Sequence, residues 1–206
     1  MKKIYIVSGS HAYRSLFAKM GYEATQKLSE ATLVCFTGGE DVTPALYSDK
    51  QHPETYNSVR RDEEEQKIFK AAIRAHIPMV GICRGAQFLN VMSGGRMYQH
   101  VEKHTQSHYI TDIQTGEVVY VSSTHHQMMM PSGDGVLIAS TRLGGSREWY
   151  AGEIFKRDVS DEDIEVVYYP ATNCLCFQPH PEFTGAAYDG MTAYFEKCVK
   201  TYLGVL

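Results

Sequence analysis

The pentapeptide Gly81-Ile82-Cys83-Arg84-Gly85 constrains the fold of this chain more than any other stretch. An apolar run, Met79 to Ile82, leads into it, and a helix-patterned stretch, about Arg84 to Met92, leads out. Glycines two residues before and two after the cysteine make the G-x-nucleophile-x-G pattern of a sharp turn between a buried strand and a helix, with sulfur replacing the serine oxygen. Only glycine lets strand and helix pack so closely around a strained turn. The turn also places a thiol at a helix N-terminus, where partial positive charge favours thiolate. The competing reading is a buried structural cysteine in an ordinary strand-to-helix turn.

The flanking pattern agrees with such a turn. Lys3 to Val7, Thr32 to Phe36 and Met79 to Ile82 are short apolar runs that stop at turn residues, as buried strands do. Between them lie helical patterns. About Ala12 to Met20 carries Leu16, Phe17 and Met20, with Gly21 at its C-terminus. About Arg61 to His76 starts with the acids Asp62 to Glu65 and has Ile68, Phe69, Ala72 and Ile73 as its apolar stripe. Strands alternating with helices imply βαβ units, hence a three-layer α/β fold with a mostly parallel central sheet and helices on both faces. After Gly94-Gly95 the pattern changes to short strands, at Tyr109 to Thr111, Val118 to Ser122, Val136 to Ser140, Glu148 to Phe155, Ile164 to Tyr169 and Leu175 to Gln178. These add a few antiparallel strands before a last helix, about Gly185 to Tyr202. No repeat or linker divides the chain, so residues 1–206 read as one domain.

Composition narrows the partners. Of the 206 residues, 43% are hydrophobic and 21% charged, which fits a well-cored globule rather than a disordered chain. The net charge of -4 and the scattered basic residues argue against nucleic acid and against an anionic membrane surface. The N-terminal apolar run ends at Val7, too short for the core of a signal peptide, and nowhere does an apolar run reach membrane-spanning length. The five cysteines, Cys35, Cys83, Cys174, Cys176 and Cys198, read as free thiols in a reducing compartment, so a cytoplasmic location is expected.

A nucleophilic cysteine needs a base, and the base an orienting partner. Phe177-Gln178-Pro179-His180-Pro181-Glu182 offers both, because residues i and i+2 of an extended backbone project to the same side. Pro179 and Pro181 stiffen the segment around the imidazole. Taken alone, His-Pro-Glu is more often a loop.

Together, Thr37-Gly38-Gly39 after a strand, Gly81 to Gln87 and the late His180-Pro181-Glu182 closely resemble the class I glutamine amidotransferase superfamily. Within it, the chain looks like the stand-alone γ-glutamyl-γ-aminobutyrate hydrolase branch (peptidase C26). The narrower likeness rests on Gly38 to Pro44 with Leu46-Tyr47, Arg61-Asp62 with Glu65, Asn90-Val91 with Gly94-Gly95, and Ser123 to Gln127. These blocks run in the family's order from about residue 35 to 183. The resemblance implies a flavodoxin-like sheet and hydrolysis of a γ-glutamyl amide, without a cofactor. Cys83 would form the thioester, His180 would shuttle the proton and Glu182 would orient it. Backbone N–H groups of Gly39 and Arg84 would form the oxyanion hole. Gly38, Gln87, Ser123, His125, His126 and Gln127 would line the substrate pocket. Two features depart from the family. Pro179 stands where Trp is frequent, which would reshape the pocket rim, and the second-half loops are short, which leaves the leaving amine open. Two rival readings remain. One is a glutaminase subunit that passes ammonia to a separate synthetase, and the other is a non-catalytic protein that binds a γ-glutamyl ligand. Assembly into a homo-oligomer is compatible with each.

Other features are discounted. His100, His104 and His108 recur every four residues, but Glu102 stands at the wrong place for the H-E-x-x-H zinc motif and the segment is poor in helix formers, so no metal is expected and His104 and His108 are placed near the pocket mouth or surface. Cys174-Leu175-Cys176 lacks a second pair and fits a strand. Met128-Met129-Met130 reads as a flexible apolar patch packed under the preceding loop, or else as a contact surface for a partner.

Overall fold

The computed structural model of the chain describes residues 2–205. Its first half alternates as the pattern requires: β1 (Lys2–Val7), α1 (His11–Lys19), β2 (Tyr22–Thr25), β3 (Leu33–Phe36), α2 (Val59–Arg74), β4 (Met79–Ile82) and α3 (Arg84–Met92). Its second half is strand-rich: β5 (Arg96–Tyr98), β6 (His100–Val101), β7 (His108–Asp112), β8 (Val118–Val121), β9 (Met128–Met130), β10 (Val136–Thr141), β11 (Ser146–Ala151), β12 (Ile154–Val159), β13 (Asp163–Tyr169) and β14 (Cys174–Phe177), followed by α4 (Asp189–Cys198).

One nine-stranded sheet organises both halves, in the order β2-β1-β3-β4-β14-β13-β10-β7-β8. The first five of these are mutually parallel, and the remaining four extend the sheet antiparallel. Strands buried on both faces explain the unbroken apolar runs, since side chains alternate sides with period two. Leu33, Cys35, Val80, Ile82, Leu175 and Phe177 pack with Leu16 and Phe17 of α1 and with Phe195 and Cys198 of α4. Val34, Phe36, Met79, Cys174 and Cys176 pack on the other side with Phe69 and Ala72 of α2 and with Phe88 and Leu89 of α3. Helices therefore cover both faces of the parallel region, as expected from the sequence. No described helix is long and apolar enough to cross a membrane.

Several local expectations fail. Glu148 to Phe155 is not one strand but the bend of a hairpin, in which Ser146 pairs with Val159 and Ala151 with Ile154. The hydrophobic pattern missed the reversal because β12 is exposed along its whole length and has no buried period to read. Met128 to Met130 is neither a mobile patch nor a contact surface. It is strand β9, paired with β5, and Met128 and Met129 are buried. The last helix lies where it was expected, with α4 followed without a break by a wider winding over Val199–Leu203.

The turn between β4 and α3 sits where the sheet is tightest. A Cβ on Gly81 would lie 2.3 Å from the Gly85 carbonyl oxygen, and one on Gly85 would lie 2.1 Å from that of Phe36. Both obstacles are backbone, which a rotamer change cannot relieve. Gly85→Ala should therefore lower the unfolding free energy by about 2 kcal/mol or more in urea titrations, despite alanine's better helix propensity. Gly133→Ala, whose Cβ would meet nothing within 4 Å, should leave it nearly unchanged. Equal stability of the two variants would refute the close approach.

Candidate active site

Cys83 is the residue on which this turn closes. It sits at φ 53° and ψ -114°, a conformation that costs a non-glycine residue about 1–3 kcal/mol. Two backbone bonds hold it there: Cys83 N–H donates to the Phe177 carbonyl (3.0 Å), and Gln87 N–H donates to the Cys83 carbonyl (3.1 Å). The first of these ties the cysteine to the end of β14, from which the His180 segment departs. The thiol is thus fixed at the N-terminal end of α3, facing the partial positive charge of the helix.

His180 and Glu182 meet as expected, but in a turn rather than an extended segment. Phe183 N–H donates to the His180 carbonyl at 3.1 Å, and the turn brings Glu182 Oε1 to 2.7 Å from His180 Nδ1. Both side chains are buried. Burial opposes charge on the imidazole, yet the neighbouring Cys83 and the hydrogen-bonded, charged Glu182 push His180 up to about 10. Phe183 stacks on the ring, with centroids 4.7 Å apart. On the backbone side, His180 N–H donates to Ser122 Oγ at 2.9 Å.

Two arginines lock the loops that flank the cysteine. Arg84 is buried; its guanidinium pairs with Asp62 and Glu65, one turn apart on α2, and its Nε donates to the Glu40 carbonyl at 3.1 Å. Arg61 bonds Glu65 at 2.8 Å, and its Nη2 donates to the carbonyls of Thr37 and Gly38, both at 3.0 Å. Gly39 sits beneath Arg61 at φ 144°, where a Cβ would lie 1.9 Å from Nη1, so only glycine fits. Tyr13 completes the frame, accepting from Gly38 N–H at 3.0 Å. Burial chiefly, then the charge of Glu182, holds its hydroxyl in the neutral form.

Beside Cys83 opens a polar cavity of about 200 Å³. Gly39, Arg84, Gln87, His125, His126 and Gln127 line it with Cys83, so most of the residues expected at the pocket converge there. Gln87 Nε2 donates to the Gln127 carbonyl at 3.0 Å, and His126 Nε2 lies 3.2 Å from Asp41 Oδ1. Ser123 does not line the cavity: its hydroxyl turns inward and donates to the His104 carbonyl. Its neighbour Ser122 makes the contact to His180 instead. Gly38 lies against Tyr13 and His180, behind the cavity wall. Pro179 is buried and does not shape the rim. Asp41 and Tyr56 line the cavity without having been singled out for it, and Tyr13 and Ser122 lie in segments that carry no motif. His104 and His108 are not at the mouth but buried, because the loop before β7 folds under β13 and not outward.

The sequence matches the family model described as peptidase C26 over residues 17–182. A protein of Lactococcus lactis named as glutamine amidotransferase-like, YvdE, is 35% identical over 125 residues, covering 50% of this chain and 52% of that one. The carbamoyl phosphate synthase small chain of Pyrococcus furiosus is 22% identical over 135 residues, 65% of this chain and 32% of that one. The chain spans about half the length of the curated relatives it matches. Among solved structures, a glutamine amidotransferase from Thermotoga maritima superposes with a TM-score of 0.61 at 10% identity, over 98% of this chain and 89% of that one. PurLQS from the same organism gives 0.59 at 16%, over 95% and 96%. At such identities the superpositions speak to the fold alone.

Removing the Glu182 charge should weaken the hold of His180 on its proton. In Glu182→Gln, NMR of the imidazole nitrogens should show its titration midpoint falling by about one unit or more. The linked stability follows in sign. A histidine that binds its proton more tightly folded than unfolded stabilises fully below its unfolded value of about 6.5, and that gain fades as pH rises through about 10. The stability gap between wild type and variant should therefore narrow at alkaline pH. An unmoved midpoint would separate Glu182 from the charge state of His180.

Proposed function

Because the chain belongs to the peptidase C26 family, we propose that it hydrolyses a γ-glutamyl amide through a thioester on Cys83, releasing glutamate and an amine. One observation carries this reading: His180 stands beside Cys83 of a strained strand-to-helix turn and is bonded to a buried carboxylate, next to a cavity of about 200 Å³. Cys83 Sγ attacks the amide carbonyl while His180, held by Glu182, gives its proton to the departing nitrogen. The oxyanion that develops lies at the α3 N-terminus, where the N–H groups of Arg84 and Gly39 meet it. A water, deprotonated by His180, then cleaves the thioester. Gln87 and Gln127 hold the glutamyl portion, and His126, paired with Asp41, stands at the same wall.

A second reading has its own support. The likeness to the carbamoyl phosphate synthase small chain spans 65% of this chain, which favours a glutaminase subunit that delivers ammonia to a synthetase. The methionine run cannot serve as its docking surface, since Met128 and Met129 are buried.

The two readings part on substrate. Glutamate release should be measured on a panel of γ-glutamyl amides, glutamine included, with wild type and Cys83→Ala. Fast cleavage of a γ-glutamyl amine, reduced about 10⁴-fold or more by Cys83→Ala, supports the stand-alone hydrolase. Slow cleavage of glutamine alone supports the ammonia donor. Cleavage unaffected by Cys83→Ala removes the thioester from either.

A further inference from the structure

Behind the pocket wall, three imidazoles surround one buried carboxylate. His104 lies between β6 and β7, His108 opens β7, His125 sits in the loop after β8, and Glu165 projects from β13. His104, His125 and Glu165 are almost wholly buried. One donor atom from each of these three lies within 4.8 Å of the others.

The hydrogen bonds fix the position of one proton on His125 and one on His104. His125 Nδ1 lies 2.9 Å from the Gln127 carbonyl oxygen, which can only accept, so the ring N–H is there and Nε2 is a bare lone pair. His104 Nε2 lies 3.0 Å from Asp163 Oδ2, again an acceptor, so a proton sits on Nε2 and Nδ1 is the nitrogen that can be freed. These two nitrogens converge on Glu165: His104 Nδ1 is 3.3 Å from Oε1, and His125 Nε2 is 3.9 Å from Oε2. His104 Nδ1, His125 Nε2 and Glu165 Oε2 find no hydrogen-bond partner among the described residues. Acceptors facing acceptors in a water-poor interior repel one another, and each costs about 1–3 kcal/mol unpaired. A cation at this point, whether a proton on His104 Nδ1 or a metal ion, removes that repulsion.

We propose that His104 Nδ1, His125 Nε2 and Glu165 form a binding site for a divalent transition metal ion of the zinc class. Two imidazoles and a carboxylate are zinc's ligands, and nitrogens bound at about 2.0–2.1 Å in a tetrahedron stand about 3.3 Å apart, close to the spacing between His104 and Glu165. Each proposed ligand histidine already has the outer partner that metal-binding histidines use: a carboxylate, Asp163, for His104, and a backbone carbonyl for His125. His108 Nε2, 3.2 Å from Glu165 Oε1, is the nearest fourth donor. The ion would clasp three separate segments. Ser123 bonds the His104 carbonyl, Ser122 bonds His180, and Gln178 N–H donates to the Glu165 carbonyl at 2.8 Å, so the clasp backs both the His180 turn and the pocket loop. Its role is structural, and it does not depend on which amide the enzyme cleaves.

The test uses the full chain carrying Cys83→Ala, so that the thiol cannot bind metal. After chelation and dialysis, it is titrated with Co²⁺ and with Zn²⁺. We expect one equivalent of Co²⁺ with a visible ligand-field band, displaced by Zn²⁺, and a raised melting temperature. Adding His125→Ala should weaken binding by more than the roughly 10–100-fold that outer-partner changes cost. Glu165→Gln, which keeps the shape, provides the same comparison should the alanine variant fail to fold. No saturable binding, or binding unmoved by both substitutions, overturns the proposal and assigns protons to the lone pairs.

Discussion

Three backbones meet at the turn around Cys83, and the rest of the molecule is arranged so that they can. Gly81 lies under Gly85, Gly85 lies under the end of β3, and the cysteine between them is bonded to the end of β14. That contact requires β3, β4 and β14 to be adjacent and parallel, with their C-terminal ends together. In an open parallel sheet, this edge is where loops collect and sites form. The strained φ of Cys83 is tolerable because the surrounding strands, each buried on both faces, leave the turn no other path. Thus the core supplies the rigidity, and the thiol inherits a fixed direction from it.

Electrostatics does the same for the loops. A buried ion pair contributes little net stability, since desolvation offsets most of the attraction, but a lone buried charge is costly. Arg84, Asp62, Glu65 and Arg61 avoid that cost only as a set, and the set can form only when α2 is pressed against the start of α3. Arg61 then uses its spare donors on the carbonyls of Thr37 and Gly38. The cluster is therefore better understood as fixing geometry than as holding the fold together: it aims the Gly38-Gly39 loop at the helix N-terminus.

How legible this was depends on the range of the interactions. The segment from Met79 to Met92 could be read to the residue because strand, turn and helix each carry their own local pattern. The nearness of His180 to Glu182 was legible for the same reason, although the spacing suggested an extended strand and the chain makes a turn. Contacts between distant segments left no such trace. Tyr13 reaches Gly38 across 25 residues, and Ser122 reaches His180 across 58. The histidines show the limit most clearly. Regular spacing of His100, His104 and His108 invited a test for a shared helix face, which they fail. What gathers His104 and His108 is Glu165, about 60 residues away, in a strand whose sequence reads only as a short, mostly apolar run.

The antiparallel half of the sheet gains a purpose from that gathering. The parallel strands suffice to build the turn and present the thiol, but nothing in them can hold the His180 turn from behind. β13 pairs with β14 on one side and with β10 on the other, and Glu165 on β13 reaches back under the loops that precede β7 and β9. Those loops carry Ser122 to Gln127, so one buried carboxylate meets both the wall of the cavity and the support of the imidazole. Hydrophobic packing could place these loops only loosely, since their buried side chains are Ser, His and Gln. Directional interactions have to do it, and each ring nitrogen that faces Glu165 or a carbonyl removes one alternative arrangement. The polar interior behind the site therefore positions the same elements that the parallel core leaves free.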